Sequence, residues 1–468
     1  MVFSSLFFYF IYLPLFLVLY YVVPKAAKNY VLLAFSLVFY AWGEPVYVFL
    51  MLGMTLSDYI LGRLMHRYDS SKSKRKLFLV LSIVIDLSCL AFFKYAGFLV
   101  GTISSISGAD IPFMEIALPI GISFFTFQTM SYTIDLYRRE VTVEKNYAEY
   151  LMYVSMFPQL IAGPIVRYKT VKQELHEREI KMPDVIDGFI RFIYGLLKKV
   201  LLANRLGSLF DDALSSQNPS LVFAWLGAIA FTLQLYLDFS AYSDMAIGLG
   251  KMLGFKFDEN FNYPLSAKSV TDFWRRWHIS LSSWFRDYVY IPLGGNRCRI
   301  PRQIFNLAVV WFLTGLWHGA SWNYVIWGVY YGILLCLEKF VYGKYLERVP
   351  KFFRHIYLCL IVVVGFTVFA IEDFSKLIPY LGSMFSTKGG FAGRDILFYL
   401  QNYGFVFIVS IAVSMPIFPA LKKKISGFGC VAKKIFGIIY AVIFALLFVV
   451  AVSYMVSDTY NPFLYFRF

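Results

Sequence analysis

Apolar runs recur along nearly the whole chain, each parted from the next by a short polar or basic break. They fall at roughly 5–23, 29–43, 45–61, 77–101, 116–136, 147–165, 186–203, 219–237, 304–319, 321–340, 355–372, 397–417 and 436–456. A helix needs about 20 mainly apolar residues to cross about 30 Å of hydrocarbon. The runs lack the strict two-residue alternation of a membrane β-barrel. They predict helices, and the chain reads as an all-α polytopic membrane protein. Runs shorter than about 18 residues cannot cross perpendicular to the bilayer. The pair 29–43 and 45–61, split by Gly43-Glu44-Pro45, reads as tilted or re-entrant, a geometry tolerated only under protein cover. About 11 spans plus partial insertions are expected.

One stretch breaks the pattern. Residues 238–303 are polar, aromatic and dense in Arg and Trp, and hold no uninterrupted apolar run of spanning length. Trp and Tyr favour the membrane interface and Arg its cytoplasmic side, so this stretch predicts an interfacial or partly inserted helical unit. No internal repeat is visible, which gives no support to an inverted-repeat transporter.

Composition agrees. Of 468 residues, 59% are hydrophobic and 16% charged, against about 25% charged in soluble domains. Lys and Arg number 44 against 29 acids, a net charge of +15. Nucleic acid is one reading of such a balance, but the basic residues sit in short loops between spans. That is the pattern of the positive-inside rule, so no nucleic-acid partner is expected. A basic cytoplasmic mouth would also attract a polyanionic donor, such as a coenzyme or an acidic carrier protein. Arg63 to Lys76 holds seven Lys, Arg or His residues and should be cytoplasmic, whereas Gly101 to Glu115 has no Lys or Arg and should be outside. Lys422–Lys424 and Lys433-Lys434 put the start of the last span inside. The cysteines Cys89, Cys298, Cys336, Cys359 and Cys430 form no CxxC, so neither a disulfide framework nor a zinc site is indicated. The N-terminus has no basic n-region and no small-residue cleavage site, and reads as a retained first span.

Five histidines are present. His66, His176 and His355 sit in basic or mixed loops, and solvated surface is the default for each. His278 and His318 differ: each follows a Trp, and His318 lies in an apolar run. At helical spacing Thr314, His318 and Trp322 would share a face, as would Trp274, His278 and Ser282. Such a histidine either bonds a neighbouring helix or does chemistry. No carboxylate lies within four residues of His318. HExxH, clustered His/Cys, G-x-S-x-G, P-loop and Rossmann glycine patterns are absent, so no metal is expected. What remains is a neutral imidazole in a low-dielectric tunnel, suited to take a proton from a hydroxyl that attacks an activated acyl group. Gly319 would let a substrate come close to the backbone.

Several stretches resemble one family in order and spacing. They are Leu118-Pro-Ile-Gly121 through Gln128, Ser131 through Arg138, Phe157 through Pro164, Asp238-Phe-Ser-Ala-Tyr242-Ser-Asp244, Phe273-Trp-Arg-Arg-Trp-His278 through Asp287, Tyr290-Ile-Pro-Leu-Gly-Gly-Asn-Arg297, Leu316-Trp-His318-Gly319 and the ending Tyr460 to Phe468. The chain resembles the membrane-bound O-acyltransferase (MBOAT) family, in its alginate O-acetyltransferase (AlgI)-like branch, over nearly its whole length.

The resemblance implies a single integral-membrane domain, 1–468, with N-terminal helices at 1–110, a catalytic core at 111–345 and C-terminal helices at 346–468. It implies a ring of tilted helices, with re-entrant and interfacial ones, around a central tunnel. His318 would be the catalytic base and His278 the second motif histidine. No cofactor would be bound; the donor substrate would be acetyl-CoA, or in the D-alanyl branch a thioester on a carrier protein. Asn323, Trp317, Trp322 and amides near Gly319 are candidates for the oxyanion. Arg275, Arg276, Arg286 and Arg297 could hold donor phosphates, whereas Asp238, Tyr242 and Asp287 read as structural hydrogen-bonding groups. The implied location is the bacterial cytoplasmic membrane, amid its lipid. The final acceptor would be a cell-envelope polysaccharide: exopolysaccharide, peptidoglycan or teichoic acid. A separate extracytoplasmic SGNH-type partner, or a short membrane peptide, would receive the acyl group. The rival readings are a transporter or a membrane assembly factor without chemistry.

Overall fold

The computed structural model of the protein describes residues 3, 5–114, 116–161, 163–393, 396–425, 427–457 and 463–464. Every regular element among them is a helix. Seven helices among the described residues are long and apolar enough to cross a membrane: Tyr47–Arg67, Lys72–Ser107, Leu221–Leu253, Trp322–Leu346, Lys351–Ala370, Ile396–Ser414 and Lys434–Ser457. The protein is therefore all-α and multi-pass.

Seven is fewer than the eleven or so that hydropathy predicts, and the reasons are local. The run at 116–136 becomes the helix Ile122–Arg138, in which 14 of 17 residues are buried. It mixes Gln128, Asp135 and several Ser and Thr with its apolar positions, a composition that suits a helix surrounded by protein rather than by lipid. The run at 147–165 splits into Tyr147–Ser155 and Phe157–Leu160. Pro158 has no amide hydrogen to bond back to Val154, so one helix cannot run through.

The residues form two compact units, one built mainly of Met1–Phe192 with Met245–Asp258, the other of Ile193–Asp244 with Glu259–Leu464. In the first unit, the buried helix Ile122–Arg138 meets its neighbours through hydroxyls and carboxylates. Ser82 donates to Asp58 at 2.5 Å and to Thr133 at 3.1 Å, and Thr129 donates to Asp86 at 3.0 Å. Interhelical hydrogen bonds of this kind substitute for the hydrophobic drive that lipid does not supply. Arg75 closes the same helix by donating to the carbonyls of Leu136 and Tyr137 at 3.0 and 2.9 Å.

The second unit carries both motif histidines. A π-helical turn, Lys198–Ala203, points two buried lysines at the helix Leu221–Leu253, where Lys198 meets Asp244 and Lys199 meets Asp238, each at 2.6 Å. Asp238 also accepts the Leu464 N–H at 2.8 Å. Of the ending Tyr460 to Phe468, only Phe463 and Leu464 belong to the described residues.

The central device of this unit is a helical hairpin, Ile300–His318 followed by Trp322–Leu337. Gly315 packs on the Tyr324 carbonyl and Gly328 on the Trp311 carbonyl, so closely that a Cβ on either glycine would strike backbone. Small residues permit this approach between membrane helices. Gly328→Leu and Gly315→Leu should therefore each force the hairpin open. The expected loss is about 1–3 kcal/mol or more, read as a lower melting temperature in detergent. Wild-type melting of both variants would show that the contact is not a constraint.

Candidate active site

The His278 region is assembled from its helix ends. The short helix Val270–Arg276 starts at Ser269, whose hydroxyl accepts the Asp272 N–H at 3.1 Å. Its remaining first-turn amides, Val270 and Thr271, donate to the two oxygens of Glu338 at 2.8 and 2.9 Å. The chain then turns at His278, with φ 44° and ψ 56°, before a second short helix, Ile279–Phe285. A left-handed backbone costs a non-glycine residue about 1–2 kcal/mol, so neighbours must hold it.

Asn260 does so. Its backbone carbonyl accepts the Ile279 N–H at 2.9 Å. Its side-chain oxygen accepts the Ser280 N–H at 3.2 Å and the Ser280 hydroxyl at 2.9 Å, and its amide donates to Ser243 at 3.1 Å. The same oxygen lies 3.2 Å from His278 Nδ1. A backbone N–H can only donate, so the Asn260 atom facing it must be the oxygen. His278 Nδ1 therefore carries the proton, and Nε2 is left as the basic nitrogen.

Seven-residue helices cannot span, so His278 lies outside the membrane-crossing segments. It is 1% exposed, with the Phe239 ring edge-on at 4.7 Å. Burial removes water from the imidazole and pushes its pKa down from 6.5 to about 3.

His318 is the last residue of its helix, and Gly319 continues in extended conformation. A Cβ at 319 would run into the Tyr324 ring. That ring occupies the space beside Gly319, where the sequence suggested room for a substrate. The His318 ring is 4% exposed and sits among Trp317, Trp327 and Phe369, at centroid distances of 5.1, 5.0 and 5.3 Å. The Trp317 indole also contacts the His278 ring, at 5.8 Å.

Both histidines line one cavity of about 440 Å³. Thr314, one helical turn before His318, lines it too, as do Trp274 and Ser282. The shared helical faces expected from spacing are only partly present. Thr314 and His318 do share a helix, but Trp322 begins the next one and is 49% exposed. Trp274, His278 and Ser282 converge although the helix breaks at His278, because the left-handed turn brings them together.

The arginines divide. Arg275 and Arg286 are exposed and line the cavity, with Arg286 also paired to Asp287 at 2.7 Å. Arg276 pairs with Asp272 at 2.8 Å, and Arg297 is exposed; neither is among the lining residues. Asn323 is fully buried, with its amide donating to the Phe369 carbonyl at 3.0 Å, where it closes the helix Lys351–Ala370. Sequence reasoning missed Asn260 and Glu338. Their jobs are to accept amides from distant residues, and a polar residue in an interfacial stretch carries no local mark of that. A second group, Glu144, Glu149 and His176 in the first unit, brings three ligand-type atoms within 4.8 Å of one another.

Comparison with known proteins bears on what the cavity does. A family model described as the membrane-bound O-acyltransferase family matches residues 138–375, which include both histidines. The "Probable alginate O-acetylase AlgI" of Pseudomonas aeruginosa is 43% identical over 82% of this chain and 75% of its own length. Its namesake in Pseudomonas putida is 38% identical over the full length of both chains. The "Peptidoglycan O-acetyltransferase" of Helicobacter pylori is 31% identical over 83% of this chain and 80% of its own.

Two outcomes follow from the buried turn. The unfolded chain takes up a proton at His278 near pH 6.5, and the folded chain only near pH 3. Folding stability from this group is thus complete above pH 6.5 and is lost as pH falls toward 3. Between pH 7 and pH 4.5 the melting temperature should fall more steeply in wild type than in His278→Gln; parallel curves would contradict this. Asn260→Leu takes the side-chain acceptor from three buried donors, the Ser280 N–H, the Ser280 hydroxyl and the His278 Nδ1–H, at about 1–3 kcal/mol for each left unsatisfied. It should lower the melting temperature by several degrees, and Asn260→Asp, which keeps the acceptor, by less.

Proposed function

Because the chain belongs to the membrane-bound O-acyltransferase family, we propose that it moves an acetyl group from cytosolic acetyl-CoA toward hydroxyls of a cell-envelope polysaccharide, with His318 as general base. The observation that carries this is the convergence of His318 and His278 on one cavity. The relatives with acetyl chemistry in their names support acetyl as the group, and alginate and peptidoglycan in those names support an envelope polymer as the acceptor.

The thioester enters from the basic face and passes along a tunnel to the cavity. Arg275 and Arg286, at its wall, suit the phosphates of a coenzyme. His318 takes the proton of the acceptor hydroxyl as its oxygen attacks the thioester carbonyl. A C–O bond forms, the C–S bond breaks, and the proton passes to the departing thiolate. His278, fixed with Nε2 basic, assists by holding the acceptor or a water. Trp317, in contact with both rings, is the oxyanion candidate nearest the chemistry. None of Trp317, Trp322 and Asn323 is among the lining residues, and the Asn323 amide is already engaged. The acceptor hydroxyl of this step belongs to the extracytoplasmic SGNH-type partner or the short membrane peptide, which then carries the ester-bound acetyl group to a polymer hydroxyl.

Purified protein with labelled acetyl-CoA tests the assignment. His318→Ala should lower transfer about 10²–10⁴-fold, and His278→Ala should also lower it. Transfer near wild type in His318→Ala would falsify the base. Arg275→Ala and Arg286→Ala should raise KM for acetyl-CoA more than they lower kcat. In cells, removing the partner should abolish polymer acetylation while the level of this protein stays constant.

A further inference from the structure

A cavity of about 640 Å³ in the first unit lies apart from both histidines in sequence and lining. One wall belongs to the membrane-crossing helix Lys72–Ser107, where a π-helical turn, Ala91–Tyr95, interrupts the α-helix. π turns inside α-helices are frequent at functional sites. Lys94 lies in that turn, is 7% exposed, lines the cavity, and donates to the Ser123 hydroxyl at 3.2 Å. A cation buried in a spanning segment is costly and marks a functional site by default.

The remaining walls mix aromatic rings, Phe92, Phe93 and Phe113, with polar groups, Ser104 and Asp110 among them. Gly101 also lines it, and a Cβ there would meet nothing within 4 Å. The surface beside the cavity is greasy: Phe92, Leu99 and Ile103 are each more than half exposed on a helix that crosses the membrane. An occupant reaching this space from that surface comes from the bilayer.

We propose that the cavity binds an anionic glycerophospholipid, with its phosphate at Lys94 and its chains running past Phe92 and Phe113 over the exposed apolar surface. The volume falls in the range of about 300–1,000 Å³ typical of ligand sites, which accommodates a headgroup while the chains continue outside. Asp110 disfavours a second anionic group and accepts from the hydroxyls of a glycerol headgroup, so among anionic lipids phosphatidylglycerol is the one that fits.

Native mass spectrometry of the full-length protein, released from detergent and titrated with defined lipids, tests the site. Phosphatidylglycerol should be retained in preference to phosphatidylcholine. Lys94→Met should weaken that retention about tenfold or more, as expected when a charge-assisted contact is lost. Gly101→Phe should also abolish the preference, by filling the cavity while Lys94 stays in place, and it decides the matter if Lys94→Met does not fold. Equal retention of both lipids by wild type, or undiminished phosphatidylglycerol preference in Gly101→Phe, overturns the proposal. So does full displacement of the lipid by inorganic phosphate at equal concentration, which would mean a site for a free anion.

Discussion

Two helix backbones meet with no side chain between them, and the architecture of the second unit hangs on that contact. Gly315 and Gly328 allow Ile300–His318 and Trp322–Leu337 to touch carbonyl to glycine. The approach fixes where the first helix ends. It sets the Tyr324 ring beneath Gly319 and leaves His318 as the final helical residue. The opposite end of the second helix reaches the other histidine. Glu338, just past Leu337, accepts the first amides of Val270–Arg276, and that helix delivers the chain to His278. One membrane helix thus braces both imidazoles from its two ends.

The fold class was legible in the sequence, because long apolar runs without two-residue alternation have few other solutions in a bilayer. The number of spans was not. Ile122–Arg138 lies within an apolar run, but it carries Gln128, Asp135 and several Ser and Thr, and 14 of its 17 residues are buried in protein. His278 and His318 stood out because ionisable residues beside tryptophans in such a chain are rare. Their meeting on one cavity could not be read from spacing, since the helical register on which it would rest stops at His278 and at His318. A left-handed turn and an extended glycine, neither visible in periodicity, do the work instead.

Partners were the least legible part. Lys198 and Lys199 look like a basic helix end, yet both lie buried against Asp244 and Asp238. Arg75 sits in a run that orients the chain by charge, yet its guanidinium closes a helix from inside. Burying a charge is tolerated where partners are close and well aligned, and sequence separation of some forty to sixty positions hides such partners. Asn260 shows the same limit for a neutral group, since its five contacts define the His278 turn only once Ser243 and Ser280 come near.

The position of His318 at a helix terminus has a further consequence. Aligned peptide dipoles gather the equivalent of roughly half a negative charge at the carbonyl end of a helix. Nineteen residues point that end at the imidazole. In the proposed reaction the ring becomes a cation for the lifetime of the transfer. Hydrolases with a histidine base commonly set a carboxylate behind it for that moment; here the backbone of its own helix contributes part of that field.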